Sequence, residues 1–344
     1  MLVAELSNAR QFRLTDAPAP ADPGPNQIQV AVKAVGICGS DLHYFGEGGI
    51  GTARCVYPMV LGHEPAGVVV KTGAGVSGWS TGDRAVLEPA LYCYHCEFCM
   101  TGHHNVCANL RFMSLPGEPG FFREFVNLPA GNLLPLPNNL SDAEGAAVEP
   151  LAVALHSMQF AGPQPGETAV VFGAGPIGLL TIAVLKLAGV TRIWAVEPVA
   201  ARRALALALG ADAAIDPGAV DPVREILHDT AHRGVDMAID CAARTDSINQ
   251  CIHAVRNAGR VVVTGIPSED HIQLAFHMLR RKEAAFYSVR RSNHDSGAAL
   301  RLLAAEARRF VPMLTHQRPL AEIQPAFELC ERYADGVGKM TLRF

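Results

Sequence analysis

The sequence predicts an α/β protein of two domains, a β-rich barrel and a doubly wound parallel sheet covered by helices on both faces. Three observations predict it. The chain has 344 residues, 49% of them hydrophobic and 18% charged, which is enough apolar material for a large core shared between two domains. The first 150 positions are rich in Gly and Pro and carry short β-type runs such as Ile28-Gln29-Val30-Ala31-Val32 and Gly67-Val68-Val69-Val70. From about Glu167 onward, apolar strands alternate with helical segments, and such alternation implies a parallel sheet with a helical layer on each side.

Taken in order, the second region reads as a strand over 168–172, a helix over 176–188, a strand over 192–196 and a helix over 200–209. Two further apolar strands follow over 235–240 and 260–264. Beyond Val289 the chain reads as a helix over 297–309, a short segment over 315–320 and a tail over 340–344 that is expected to return to the first domain. The expected division is therefore 1–150 with 290–344 as the β-rich domain, and 151–289 as the parallel-sheet domain.

Composition excludes several functions. The formal charge is −4 and no basic block occurs, so nucleic acid is not an expected partner. No apolar run is long enough to span a bilayer and the segment Met1 to Arg10 lacks the pattern of a signal peptide. A cytoplasmic protein without membrane contact is expected. Cys55, Cys241, Cys251 and Cys330 lie in unlike contexts, poor material for a disulfide framework, and read as packing thiols.

Four other cysteines, Cys93, Cys96, Cys99 and Cys107, are separated by two, two and seven residues. This spacing fits a closed structural zinc lobe over 93–107, because zinc takes four tetrahedral ligands and suits thiolates. In Phe172-Gly173-Ala174-Gly175-Pro176-Ile177-Gly178 a glycine triplet follows a strand and opens a helix, the context of a Rossmann dinucleotide site. Gly173 permits the tight turn, Gly175 admits the pyrophosphate, and Gly178 lets helix and strand pack closely, with Pro176 and Ile177 in the first helical turn. Glu197 ends the next strand, where a carboxylate binds the adenosine ribose and repels a 2′-phosphate. NAD is therefore expected rather than NADP, with Arg202 near the adenine end and Arg203 beside it partly offsetting that repulsion.

Upstream lies a sparser set of candidate ligands: Cys38 in Gly36-Ile37-Cys38-Gly39-Ser40-Asp41, and His63 and Glu64 in Gly62-His63-Glu64-Pro65-Ala66-Gly67. A catalytic zinc needs few protein ligands and one open position. The string from Gly62, with Gly67, Gly73 and Val76, resembles the signature of zinc-containing medium-chain alcohol dehydrogenases, and the resemblance covers essentially the whole chain. The segments Gly36 to His43, Pro58 to Glu64 and Glu149-Pro150-Leu151-Ala152-Val153-Ala154-Leu155-His156 look most like the sorbitol (polyol) and L-idonate 5-dehydrogenase branch.

The resemblance implies a GroES-like catalytic domain beside the Rossmann domain, and two zinc ions per chain. It implies a catalytic zinc on Cys38, His63 and a carboxylate, with Glu64 and Glu149 sharing the direct and water-mediated roles. It further implies hydride transfer from a secondary hydroxyl to NAD, with Ser40 as relay hydroxyl, His43 passing the proton outward and Asp41 orienting the ligand loop. Gly265, Val289 and Arg290 fall where the family contacts the cofactor. Tyr44, Phe45 and Phe112 are candidates for the substrate wall, and Arg290 for a substrate carboxylate. Where polyol enzymes usually show a single arginine, this chain has Arg290-Arg291-Ser292-Asn293, so a sugar acid stands beside a neutral polyol as the expected substrate. An alcohol or threonine dehydrogenase of the same family, and a non-catalytic zinc- and nucleotide-binding protein, are the alternatives. A homodimer or homotetramer is expected, with Arg260 to Thr264 as a pairing edge strand.

Overall fold

The computed structural model describes residues 1–344, and the chain divides into two compact units. The first takes Met1–Glu149, Ser296–Ala307 and Leu314–Phe344; the second takes Pro150–Asp295 and Arg308–Met313.

The first unit is built on a seven-stranded sheet. Its order is Leu133–Pro135, Arg84–Leu87, Glu64–Thr72, Gln27–Gly36, Met340–Arg343 and His316–Pro319, with Phe125–Pro129 also paired to Gln27–Gly36. The long central strand buries Val30, Val32 and Val35, as expected where β-branched side chains meet a covered face. The C-terminal strand joins it antiparallel, with Thr341 opposite Gly36 and Leu342 opposite Val35. The tail is thus an interior strand of the first unit. The unit's core gathers Leu6, Ile28, Phe121, Phe122 and Leu342, and Phe45 and Phe12 meet Phe327 with ring centroids 5.2 Å and 4.6 Å apart.

The second unit carries six parallel strands in the order Ala213–Ile215, Arg192–Val196, Thr168–Phe172, Val235–Asp240, Val255–Val263 and Ala285–Ser288. That is the doubly wound order, whose direction reverses beside Thr168–Phe172 and opens a ligand crevice at the strands' carboxyl ends. Val170, Val171, Ile239 and Val262 are completely buried, which is why these strands read as continuous apolar runs.

One expectation is corrected. Arg260 to Thr264 is not an edge: residues 260–263 pair with Met237–Asp240 on one side and Ala285–Ser288 on the other. On that side the edge is Ala285–Ser288, four half-buried to exposed residues whose weak apolar pattern hides the strand in the sequence. No helix is long and apolar enough to cross a membrane.

Candidate active site

Cys38 leads the helix Gly39–Glu47 from an extended N-cap conformation, φ −95° and ψ 157°. Its amide donates to Asp41 Oδ2 at 3.0 Å, and the positive end of the helix favours a thiolate there. His63 follows Gly62, whose φ of +90° suits glycine, and a Cβ at 62 would press on Phe122 and Val35 at 3.0 Å. This turn delivers His63 and Glu64 at the start of the strand Glu64–Thr72. The ligand atoms of Cys38, His63 and Glu64 all lie within 4.8 Å of one another.

Asp41 organises the loop. It is fully buried, its Oδ1 lies 3.3 Å from His63 Nδ1, and it accepts from the Gly62 amide at 3.2 Å and the Ser114 hydroxyl at 3.1 Å. Burial alone would raise its pKa, but His63 and the amides of Cys38 and Gly62 hold it below the usual carboxylate range. A carboxylate on one ring nitrogen fixes the tautomer and frees the other for a metal. That other atom, His63 Nε2, lies 3.4 Å from Ser40 Oγ. Burial opposes a charge on His63, yet Asp41 and Cys38 outweigh it and hold the ring well above its ordinary value.

Two carboxylates complete the cluster. Glu64 is fully buried and its Oε1 has no hydrogen-bond partner. Its Oε2 forms an ion pair with Lys339 Nζ, which also donates to the Ile37 carbonyl at 2.8 Å. Glu149 sits in the first turn of the helix Val148–Ala161. Burial first, then Glu64 and Glu88, push its pKa up to about 7 against the pull of His63 and Lys339. It stands outside the tight group of three donors. A thiolate, an imidazole nitrogen and an unpartnered buried carboxylate oxygen fit a divalent ion of borderline softness with a position left open.

In the lobe, Cys93 Sγ lies 3.9 Å from Cys99 Sγ and 3.4 Å from Cys107 Sγ, and Cys96 Sγ lies 3.9 Å from Cys107 Sγ. A tetrahedral zinc with bonds of about 2.3 Å has sulfur–sulfur edges of about 3.8 Å. Amides also aim inward, Cys96 N at Cys93 Sγ and Cys93 N at Cys107 Sγ. The backbone contact around His95 leads the causes that lower the Cys93 pKa to about 5.

In the second unit the glycine triplet shows its three uses. Gly173 has φ +88° and would meet the Ala242 amide at 2.9 Å if it bore a Cβ; at Gly178 a Cβ would fall 1.9 Å from the Gly173 carbonyl oxygen. At Gly175 the nearest atom would be Arg202 Nη1 at 4.0 Å, so that backbone alone is open to a ligand. The helix Pro176–Leu187, with Gly175 as N-cap, begins there and includes Ile177. Glu197 is buried and accepts from the Ala174 amide at 2.8 Å and the Val199 amide at 2.9 Å. Arg203 is committed elsewhere: it donates to the Glu197 and Pro198 carbonyls and pairs with Asp216 at 3.0 Å. Gly265 packs against the loop 241–243, where a Cβ would meet Ala243 Cβ at 2.7 Å, and the Val289 amide donates to the Val263 carbonyl at 2.9 Å.

The remaining candidates scatter. Phe112 is buried with its ring centroid 5.6 Å from that of His63. Tyr44 and Phe45 follow Ser40 and His43 on one helix, whose turn carries both into the hydrophobic core. His43 is half-buried, with Nδ1 3.0 Å from Glu47 Oε1. Arg290 is exposed, and Arg291, at φ +55°, is the more buried of the pair. Sequence reasoning passed over Lys339 and Ser114. Lys339 carried no signal of its own: it is one of two cations in the tail, with Arg343 following it.

The chain matches the family description "Alcohol dehydrogenase GroES-like domain" over residues 24–138 and "Zinc-binding dehydrogenase" over residues 176–305. It is 31% identical over 328 residues to the sorbitol dehydrogenase of Bacillus subtilis, covering 95% of this chain and 93% of that one. It is 37% identical over 310 residues to a probable D-xylulose reductase A of Aspergillus fumigatus, covering 87% and 85%. The crystal structure of L-idonate 5-dehydrogenase from Escherichia coli superposes with a TM-score of 0.91 at 26% identity, covering 100% of this chain and 98% of the other.

Proposed function

The chain belongs to the family of zinc-binding, GroES-like alcohol dehydrogenases, and we propose that it oxidises a secondary hydroxyl of a polyol or sugar acid to the ketone, reversibly, with NAD. The observation that carries this reading is the buried cluster of Cys38, His63 and Glu64 within 4.8 Å, with Glu149 rather than a second thiol beside it. The sorbitol, xylulose and idonate enzymes among the relatives support the substrate class.

Cys38, His63 and Glu64 would hold the catalytic zinc, with Glu149 acting through water, and the four lobe cysteines a second, structural zinc. The catalytic ion supplies Lewis acidity to the substrate hydroxyl. Ser40 takes up the proton that the hydroxyl releases. His43, three residues further along the same helix face, passes it toward Glu47 and solvent. Asp41 keeps His63 oriented while this happens, and Phe112 against His63 keeps one side of the centre apolar. NAD, when bound, would accept the hydride; the open backbone at Gly175 would take its pyrophosphate and the Glu197 carboxylate would accept from its ribose hydroxyls. With Arg203 bound to Asp216, a 2′-phosphate would meet the Glu197 carboxylate without that guanidinium to offset it. The same reading sets the protein in the cytoplasm, where its nine free cysteines stay reduced. It also takes the protein as a dimer or tetramer, with Ala285–Ser288 as the free edge.

The test is reduction of NAD and NADP with sorbitol, xylitol, galactitol, idonate, gluconate, threonine and simple secondary alcohols, with and without chelator. Chelator-sensitive reduction of NAD with a polyol or aldonate is expected. Threonine or a simple alcohol as the preferred substrate would move the chain to another branch, and one zinc per chain without activity would make it a non-catalytic binding protein.

A further inference from the structure

Lys339 is the only lysine among the buried residues. It stands just before the strand Met340–Arg343, and its ammonium reaches past the neighbouring strand Gln27–Gly36 to Glu64 on the strand beyond. Gly36 is the residue it passes, opposite Glu64 on one side and Thr341 on the other. A Cβ at position 36 would fall 2.0 Å from Glu64 Oε2 and 2.9 Å from Lys339 Cε. The missing side chain at 36 is therefore the space the ion pair occupies. The same ammonium holds the carbonyl of Ile37 at 2.8 Å, the residue immediately before Cys38, so one cation ties together the segments that present two of the three clustered donors.

We propose that Lys339 is a positioning residue for the metal centre: by binding Glu64 through Oε2 it leaves Oε1 as the single carboxylate donor and keeps one coordination position open for substrate. This rests on the reading that Cys38, His63 and Glu64 hold the metal. Charge favours it. A Cys38 thiolate and Glu64 bring negative charge into the site, with Asp41 against His63 and Glu149 close by, and the ammonium offsets part of it beside the ion. Without the lysine, Oε2 has no partner and the nearest cation is the metal itself.

The experiment compares wild type, Lys339→Met and Gly36→Ala as full-length protein, by zinc content, by the visible spectrum after Co2+ replaces the ion of the open centre, and by kcat and KM. The wild type is expected to hold two zincs. Both variants should keep the lobe zinc and wild-type NAD affinity, while the cobalt band weakens as Glu64 closes on the metal with both oxygens and raises its coordination number. The kcat should fall ~10–100-fold, the usual cost of losing a group that orients a metal ligand. A purely structural lysine would lower the melting temperature without moving the cobalt band. If both variants keep the wild-type band and chelator sensitivity, the positioning role is wrong. Should Lys339→Met fail to fold, Lys339→Gln, which retains a donor for Ile37, takes its place. A wild type with lobe zinc alone would overturn the metal reading, and the positioning role with it.

Discussion

The lobe draws its four sulfurs from a single loop, Cys93 to Cys107, whereas the open centre collects Cys38 from a helix N-cap, His63 and Glu64 from a strand start, and Lys339 from the far end of the chain. The lobe's four donors would saturate a tetrahedral ion, and its backbone amides serve the same sulfurs. The open centre offers fewer donors than an ion takes, and surrounds them with Asp41 on His63, Lys339 on Glu64, and Glu149 outside the tight group. A site that must stay incomplete needs long-range register to hold it so; one that is complete needs only a loop.

The sharpest way to break this comparison is to remove one thiol from each side. Cys38→Ser should lower kcat/KM by about 10³-fold or more, because the ion's charge stabilisation is worth several kcal/mol at tenfold per 1.4 kcal/mol. Lobe zinc and NAD affinity should stay near wild type, as metal analysis and fluorescence titration would show. Retained turnover would mean that the open centre is not catalytic. Cys99→Ser should do the reverse, costing the lobe zinc and roughly 3 kcal/mol or more of stability in denaturant unfolding, while the surviving folded enzyme keeps its open-centre metal.

Acid should separate the two centres as well. A ligand imidazole must be neutral to take a metal, and Asp41 and Cys38, against the effect of burial, keep the His63 proton on well above its ordinary pKa. Protons therefore compete at the open centre first: affinity there is greatest at high pH and weakens as pH falls through neutrality. The lobe's thiols are shifted in opposite directions, Cys93 lowered to about 5 and Cys99 pushed up to about 12 by burial, but its four donors close on the ion with no histidine among them, so it should keep its zinc further down. Dialysis against chelator at a pH of about 6, close to the ordinary histidine value, should leave one zinc per chain; loss of both together would erase the distinction. The smallest effect lies outside both centres. Glu197→Ala should shift the NAD to NADP preference by ~10-fold or more, as like-charge repulsion of the 2′-phosphate is removed, with both zincs unchanged. Steady-state kinetics with the two cofactors would show it, and an unmoved ratio would remove Glu197 from the cofactor argument.

What the sequence made legible follows the same division. The lobe cysteines and the glycine triplet are local patterns whose geometry follows from spacing, so both could be read directly. Cys38, His63 and Glu64 became candidates through a signature string, because separate loops give no periodicity to count. Lys339 was invisible for a physical reason: its meaning depends on strand register, on Gly36 standing opposite Glu64 and Thr341. The strand Ala285–Ser288 was missed because a short edge strand with half-wet faces lacks both an apolar run and strict alternation. The offset to 2′-phosphate repulsion expected of Arg203 depends on a pairing the sequence does not show, since Asp216, just past the next strand, holds that guanidinium.

The placement of Met340–Arg343 inside the first unit's sheet has a consequence for the order in which the protein is made. During synthesis the lobe can close on its zinc as soon as Cys107 has left the ribosome. Cys38, His63 and Glu64 emerge early too, but the strand that flanks Gln27–Gly36 and the ammonium that pairs with Glu64 arrive only after Pro150–Asp295, the main segment of the second unit, has been made. Until then the nascent chain holds all four lobe sulfurs beside an open centre that still lacks its flanking strand and its cation.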